Sequence, residues 1–177
     1  MNKKDTVVFD LDGTLLDTLE DLKNSVNYAM TQCGYPEHTL DEVRRYVGNG
    51  ILLLMQRAIP GGKDDPNFDK AFTLFKEHYG KHCNDTTKPY AGIMELLHTL
   101  KENNIKIAIV SNKADFAVKE LNAIYFKDLI PVAIGEKESE GIRKKPAPDT
   151  VIEALKQLGS TAENSVYIGD SDVDIET

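Results

Sequence analysis

The sequence predicts an α/β fold: an open parallel sheet flanked by helices, with a small α-helical insertion after the first strand. Three observations carry this. Short apolar runs of strand length alternate with stretches of helical periodicity, the pattern of strand–helix–strand units. One stretch of about seventy residues, from Leu19 to Lys88, breaks the alternation and holds helical patterns only. Polar, mostly acidic motifs follow the apolar runs, and the carboxyl ends of parallel strands are where such sheets bind ligands.

The elements follow in order. Thr6-Val7-Val8-Phe9 is a β-branched and aromatic run suited to a buried strand. Leu22, Val26, Ala29 and Met30 then form a helical stripe, stopped by Gly34 and Pro36. Phe68, Phe72, Phe75 and Tyr79 form a second stripe, and Pro60-Gly61-Gly62-Lys63-Asp64-Asp65-Pro66 between the two reads as a turn. An insertion this small buries too little surface to stand alone and is expected to pack on the main domain as a cap. The expected division is a discontinuous core, residues 1–18 and 88–177, and a cap, residues 19–87. Ile93, Leu96, Leu97 and Leu100 give a helix with one apolar face. Ile105 to Val110 is a second strand, Pro131-Val132-Ala133-Ile134 a weaker third and Ser165-Val166-Tyr167-Ile168 a fourth. Val151, Ile152, Leu155 and Leu158 mark the helix between the last two, with Gly159 its stop.

Composition narrows the function. Of 177 residues, 41% are hydrophobic, enough for a packed core. Lys plus Arg number 21 against 29 Asp plus Glu, a net charge of −8, which suits neither nucleic acid nor anionic membranes. The longest apolar run, Ile51-Leu52-Leu53-Leu54-Met55, is far short of the roughly 18 residues a membrane-spanning helix needs. The start, Met1-Asn2-Lys3-Lys4-Asp5, leads into a run cut by Asp10 and Asp12, which fits no secretory signal. Cys33 and Cys83 make no disulfide framework. The expectation is a cytoplasmic protein, monomer or homodimer, acting on a small molecule.

Four motifs carry the chemistry. In Asp10-Leu11-Asp12-Gly13-Thr14, two carboxylates two apart follow a strand. If the strand continued they would point the same way, and a bend at Gly13 would bring both into one pocket. One carboxylate can then attack an electrophile while the other handles a proton. Ser111-Asn112, ending the second strand, offers a hydroxyl and an N–H to a phosphate oxygen if a helix begins there, although a plain helix N-cap has the same residues. Lys144-Lys145-Pro146-Ala147-Pro148-Asp149 places a lysine at a proline-fixed turn, with Asp149 as the N-cap of the next helix. Gly169-Asp170-Ser171-Asp172-Val173-Asp174 is an acidic run suited to a hard cation such as Mg²⁺, Asp172 being the member that reads as merely solvated. Asp10, Asp12, Asp170 and Asp174 would repel one another if left bare, so the cluster itself calls for a divalent cation beside Lys145.

The order Asp10-Leu11-Asp12-Gly13-Thr14, Ser111, Lys145, then Gly169-Asp170-Ser171 with Asp174, resembles the four motifs of the haloacid dehalogenase-like hydrolase superfamily, with its Rossmann-like core and small helical cap. The resemblance implies that Asp10 is the nucleophile that takes a phosphoryl group. It implies that Asp12 protonates the leaving alcohol and then activates water. Asp10, the carbonyl of Asp12, and Asp170 would hold Mg²⁺. Ser111 and the amide of Asn112 would bind phosphoryl oxygens, Lys145 would neutralise charge, and Thr14 and Asp174 would assist, Thr14 near the phosphate. Asp12 points to phosphate esters rather than to dehalogenation, and Leu11 stands where P-type ATPases have lysine.

Within the superfamily the chain is most similar to the phosphoglycolate phosphatases. The segment Arg45-Tyr46-Val47-Gly48-Asn49-Gly50, Leu54-Met55-Gln56-Arg57-Ala58, Ser111-Asn112-Lys113 and Lys144-Lys145-Pro146 carry that likeness. It implies that Gly48 and Asn49 read the leaving group, though an interhelical turn would also use such residues. A carboxylated substrate such as 2-phosphoglycolate would call for a cation among Arg45, Arg57 and Arg143. The implied activity is Mg²⁺-dependent hydrolysis of a small phosphate monoester. A sugar-phosphate mutase, a pyrophosphatase and a non-catalytic remnant stand as alternatives. The last is raised by the sequence stopping at Thr177, just after the fourth motif, where the family continues with a further helix, strand and helix. Loss of that edge strand and helix is expected to expose apolar surface. His78, His82 and Cys83 resemble a metal cluster in spacing but have no completing ligands, and they read as a polar helix end.

Overall fold

The computed structural model describes residues 4–177, so Met1-Asn2-Lys3 of the expected core segment lie outside the described residues. The chain divides into two compact units, Met1–Leu16 with Pro89–Thr177, and Asp17–Lys88. Two-residue strands β2 (Leu16–Asp17) and β3 (Lys88–Pro89) pair with each other where the chain passes between units.

In the first unit β1 (Thr6–Phe9), β4 (Lys106–Ala114), β5 (Val132–Glu136) and β6 (Ser165–Ile168) form one parallel sheet in the order β5-β4-β1-β6. Alternation sends its side chains to two faces. Phe9, Ile107 and Ile109 pack with Leu97 of α5 (Ile93–Glu102), Val118 and Leu121 of α6 (Asp115–Tyr125), and Phe126. Val8, Ala108, Val110, Val132 and Ile134 pack with Ala154 and Leu155 of α7 (Asp149–Leu158). The central strands β1 and β4 are thus covered on both faces, which is why they read as continuous apolar runs.

The edge strand β6 differs. Its register pairs Val7 with Val166 and Phe9 with Ile168, yet Val166 is 40% and Ile168 39% exposed. Tyr167 turns to the other face, against the second cluster. Ile175 in the short α8 (Asp172–Glu176) is 88% exposed.

Three expectations are corrected. On α5, Leu97 is buried but Leu96 is exposed, because it lies on the flank of the stripe. On α7, Ile152 is exposed while Thr150 and Ala154 take the buried places with Leu155. At about 100° per residue, Ile152 lies roughly a quarter-turn or more from the line through Val151, Leu155 and Leu158. Finally, β4 does not end at Val110 but runs to Ala114, and its register against β5 shifts between those two residues, a bulge.

The second unit holds α1 (Leu19–Gln32), α2 (Leu40–Tyr46), α3 (Ile51–Ala58) and α4 (Phe68–His82). Its core is Leu22, Val26, Ala29 and Met30 of α1 against Phe68, Ala71, Phe75 and Tyr79 of α4, with Val43, Leu54 and Met55. Phe72 sits half-buried at the edge of this core. Cys33 and Cys83 are half-buried, pack on it and form no disulfide among the described residues. Thr39 and Glu42 cap α2 reciprocally. Asp21 is buried in the first turn of α1 and accepts hydrogen bonds from the amides and hydroxyls of Thr86 and Thr87, tying the end of the insertion to its beginning. His78 stacks between Tyr28 and His82. Among the described residues no helix is long and apolar enough to cross a membrane.

Candidate active site

Strand β1 stops at Phe9, and Asp10 is the first residue beyond it, still anchored by its N–H to the carbonyl of Ile168 at 2.8 Å. The chain then folds back on itself: the carbonyl of Leu11 accepts from the amides of Leu15 and Leu16, and Gly13 takes φ +82°. A Cβ at Gly13 would stand 2.2 Å from Oδ2 of Asp170, so this glycine is required both by its backbone and by the approach of the fourth motif. Asp10 and Asp12 are therefore not successive members of a continuing strand. Oδ1 of Asp10 lies 3.0 Å from Nζ of Lys145, whereas Oδ1 of Asp12 accepts from Nζ of Lys113 at 2.9 Å.

Lys145 is 2% exposed. Its ammonium reaches Asp10 at 3.0 Å, Asp174 at 2.6 Å and the hydroxyl of Tyr167 at 2.9 Å, one acceptor for each of its three N–H groups. Burying an ammonium costs several kcal/mol, and only such saturation with two carboxylates makes it tolerable. Asp174 also accepts from the amide and hydroxyl of Ser171, at 3.0 and 2.6 Å. A Cβ on Gly169 would stand 2.2 Å from the Asp174 carboxyl carbon, so the fourth motif closes around that carboxylate only because residue 169 has no side chain.

The two carboxylates sharing Lys145 are driven apart in acidity. Burial, with smaller contributions from Asp174 and Asp12, outweighs Lys145 and raises Asp10 from 3.8 to about 6. Burial would also raise Asp174, but the hydrogen bonds from Lys145 and Ser171 win and hold it below its ordinary value. Tyr167 is pushed up, first by burial and then by Asp10 and Asp174, so its phenol stays neutral.

Asp10, Asp170 and Asp174 each present a carboxylate oxygen, and these oxygens lie within 4.8 Å of one another. The carboxylate of Asp12 lies outside this group; its expected share in metal binding was its backbone carbonyl. The donor set is all hard oxygen, which fits Mg²⁺. Four carboxylates face two lysines here, leaving two negative charges that a divalent ion would balance. Thr14 stands beside this group, its hydroxyl 3.4 Å from Oδ1 of Asp170.

The second motif is placed differently from expectation. Ser111 and Asn112 are not at a helix start: they lie within the β4 bulge, and α6 begins only at Asp115. The hydroxyl of Ser111, 3% exposed, accepts from the amide of Lys113 at 3.2 Å. The Asn112 side chain donates to the carbonyl of Lys145 at 3.0 Å, while its own Oδ1 is buried without a partner. Asp149 does not cap α7 either, since Pro148 holds that position and the Asp149 carboxylate is taken by the Arg143 guanidinium at 2.9 and 2.8 Å.

Three participants were given no role from sequence. Lys113 and Tyr167 are described above. Gly135 is the third: a Cβ there would meet the Asp115 Cα at 2.4 Å and the Lys113 carbonyl at 2.6 Å, so glycine lets β5 lie against the bulge. The available signal for Lys113 was a lysine directly continuing a buried strand.

The remaining candidates lie in the second unit. Arg45 is exposed on the last turn of α2. Arg57 donates to the carbonyl of Tyr46 at 2.9 Å. Gly48 (φ +125°) and Gly50 (φ +84°) make the α2–α3 turn that contains Asn49.

The haloacid dehalogenase-like hydrolase family matches residues 7–177. The phosphoglycolate phosphatase of Aquifex aeolicus is 33% identical over 174 residues, covering 96% of this chain and 78% of that protein. That of Pseudomonas putida is 31% identical over 176 residues, covering 96% of this chain and 64% of that protein. A crystal structure from Lactobacillus delbrueckii subsp. bulgaricus superposes with a TM-score of 0.89 at 34% identity, covering 98% of this chain and 81% of that one. Sequence order, sheet topology and these likenesses converge: the chain belongs to the haloacid dehalogenase-like hydrolases.

Proposed function

We propose that this protein is a Mg²⁺-dependent phosphatase of small phosphate monoesters, 2-phosphoglycolate foremost, working through an aspartyl-phosphate. The observation that carries the reading is a buried Asp10 held 3.0 Å from Lys145, within a group of three carboxylates suited to a divalent ion. The phosphoglycolate phosphatases among its relatives support the substrate.

A carboxylate oxygen of Asp10 attacks phosphorus, and the bond from phosphorus to the ester oxygen breaks. The departing oxygen takes a proton from Asp12. Asp12, now a carboxylate, takes a proton from water, whose oxygen attacks the acyl phosphate and regenerates Asp10 with release of phosphate. Lys145 offsets charge on the phosphoryl oxygens, and Ser111 and the Asn112 amide bind them. Mg²⁺ held by Asp10, the Asp12 carbonyl and Asp170 would supply further neutralisation of that charge. The helical unit serves as a cap, with Gly48 and Asn49 reading the leaving group and Arg45 or Arg57 its carboxylate. Arg143, already committed to Asp149, is the weaker candidate.

The test is phosphate release from 2-phosphoglycolate and a panel of sugar phosphates, with Mg²⁺ and with chelator. Release that needs Mg²⁺ and is led by 2-phosphoglycolate is expected, and Asp10→Asn is expected to remove it in a folded protein. Release led by another ester overturns the named substrate, and turnover by Asp10→Asn overturns the covalent mechanism.

A further inference from the structure

The β4 bulge places three consecutive side chains on three separate tasks. Ser111 accepts from the backbone beside it, Asn112 holds the carbonyl of Lys145, and Lys113 reaches Asp12. The Lys113–Asp12 pair is the one whose purpose the phosphoryl chemistry above leaves open. The Lys113 side chain is 5% exposed and that of Asp12 is 16% exposed, so the ion pair is largely withdrawn from water. A pair of this kind gains little or nothing in stability over apolar side chains of the same size. What it does is fix direction: an ammonium at 2.9 Å holds one carboxylate oxygen in one place.

We infer that Lys113 is a positioning residue for Asp12, setting the carboxylate from which the leaving group takes its proton. This rests on the role of Asp12 proposed above. The oxygen that accepts from Lys113 is Oδ1. Lys113 donates to it and gives up no proton of its own. The proton leaves the Asp12 carboxyl as the bond from phosphorus to the ester oxygen breaks, and returns from the attacking water. Two lysines thereby divide the carboxylates: Lys145 takes Asp10 and Asp174, and Lys113 takes Asp12. The acid–base group is held by a cation of its own rather than by the one beside the nucleophile.

The experiment compares wild type with Lys113→Met on two esters. An alkyl ester, 2-phosphoglycolate, expels an alkoxide that needs the proton; p-nitrophenyl phosphate expels a phenolate that does not. If Lys113 positions the proton donor, kcat on the alkyl ester falls by about 100-fold or more, the scale of general acid catalysis, while the aryl ester loses far less. An equal loss on both, or no loss on the alkyl ester, overturns the inference and leaves the phosphatase reading intact. If wild type hydrolyses neither ester, that reading fails, and the positioning role is then judged from crystal structures of the two proteins. An Asp12 carboxylate unmoved in Lys113→Met overturns the inference; one released from its place upholds it.

Discussion

Asp21 offers a measurement of how firmly the helical unit closes on its own ends. Its carboxylate is 1% exposed and accepts from four donors, the amide and hydroxyl of Thr86 at 3.0 and 2.7 Å and those of Thr87 at 2.9 and 2.8 Å. Asp21→Ala removes the acceptor that all four share. Thr86 is exposed and its donors can turn to water, so each forfeits only the net worth of a hydrogen bond, roughly 0.5–1.5 kcal/mol. Thr87 is buried: its amide is left unpaired at about 1–3 kcal/mol, while its hydroxyl keeps the Cys83 carbonyl at 3.2 Å. The sum is about 2–6 kcal/mol, or on the order of 4–24 °C in Tm for a chain of this size. Asp21→Asn is expected to recover less than half, because its amide nitrogen would face donors. The pH dependence gives an independent check. Burial tends to raise Asp21, but the hydrogen bonds from Thr86 and Thr87 outweigh it and hold the group below its ordinary 3.8. A depressed folded-state value means the stabilisation is fully present above that ordinary value and is lost as pH falls through the folded one. Urea denaturation followed by circular dichroism should therefore show a wild-type advantage that is flat from about pH 5 to 8 and shrinks below about pH 4. An advantage under about 1 kcal/mol, or one that persists unchanged into acid, would refute the closure argument.

Gly135→Ala is expected to cost about 2–3 kcal/mol in denaturation and to lower turnover, since its Cβ meets backbone at 2.4 and 2.6 Å and would displace the bulge carrying Lys113. Unchanged stability would show that β5 can slide without cost. In chelator, Asp10→Asn is expected to raise stability at pH 8 by roughly 1–3 kcal/mol and at pH 4 by no more than about 0.5 kcal/mol. Burial lifts Asp10 from 3.8 to about 6, so its ionisation penalises the folded state increasingly across that interval and fully above it. Thermal melts at the two pH values decide it, and equal stabilisation at both would place the effect outside Asp10's charge.

The sheet was legible wherever apolar side chains and backbone pairing begin and end together. β1 and β6 run over Thr6–Phe9 and Ser165–Ile168, the bounds that their apolar runs suggest. β4 escapes the same rule because its last residues are Ser111, Asn112, Lys113 and Ala114. A polar run reads as loop, since isolated polar side chains are expensive to bury. Here each finds a partner, and the partners of Asn112 and Lys113 lie far along the sequence, in the Lys145 turn and at Asp12. Asp149 failed as an N-cap for a related reason. An N-cap expectation assumes that the nearest donors are helix amides, and the guanidinium of Arg143, six residues away, offers a better match.

The site was legible as a set and illegible as a wiring. That Asp10, Lys145, Asp170 and Asp174 come together follows from each standing at or just past the carboxyl end of a strand or on the turn before a helix, which needs only the strand order. Which lysine meets which carboxylate does not follow, because it is decided by side-chain reach within a few ångströms. The consequence shows in the charge balance. Read from sequence, Lys145 stood as the sole cation against Asp10, Asp12, Asp170 and Asp174. With Lys113 on Asp12, the remaining three carboxylates face Lys145 alone, and they are the three whose oxygens lie within 4.8 Å of one another. The bulge thus gives the Asp12 carboxylate a cation of its own and leaves the three-carboxylate group short by two positive charges. The geometry therefore calls for a divalent ion more firmly than the motif count does, since what decides it is not which acids are near but which have already been paired.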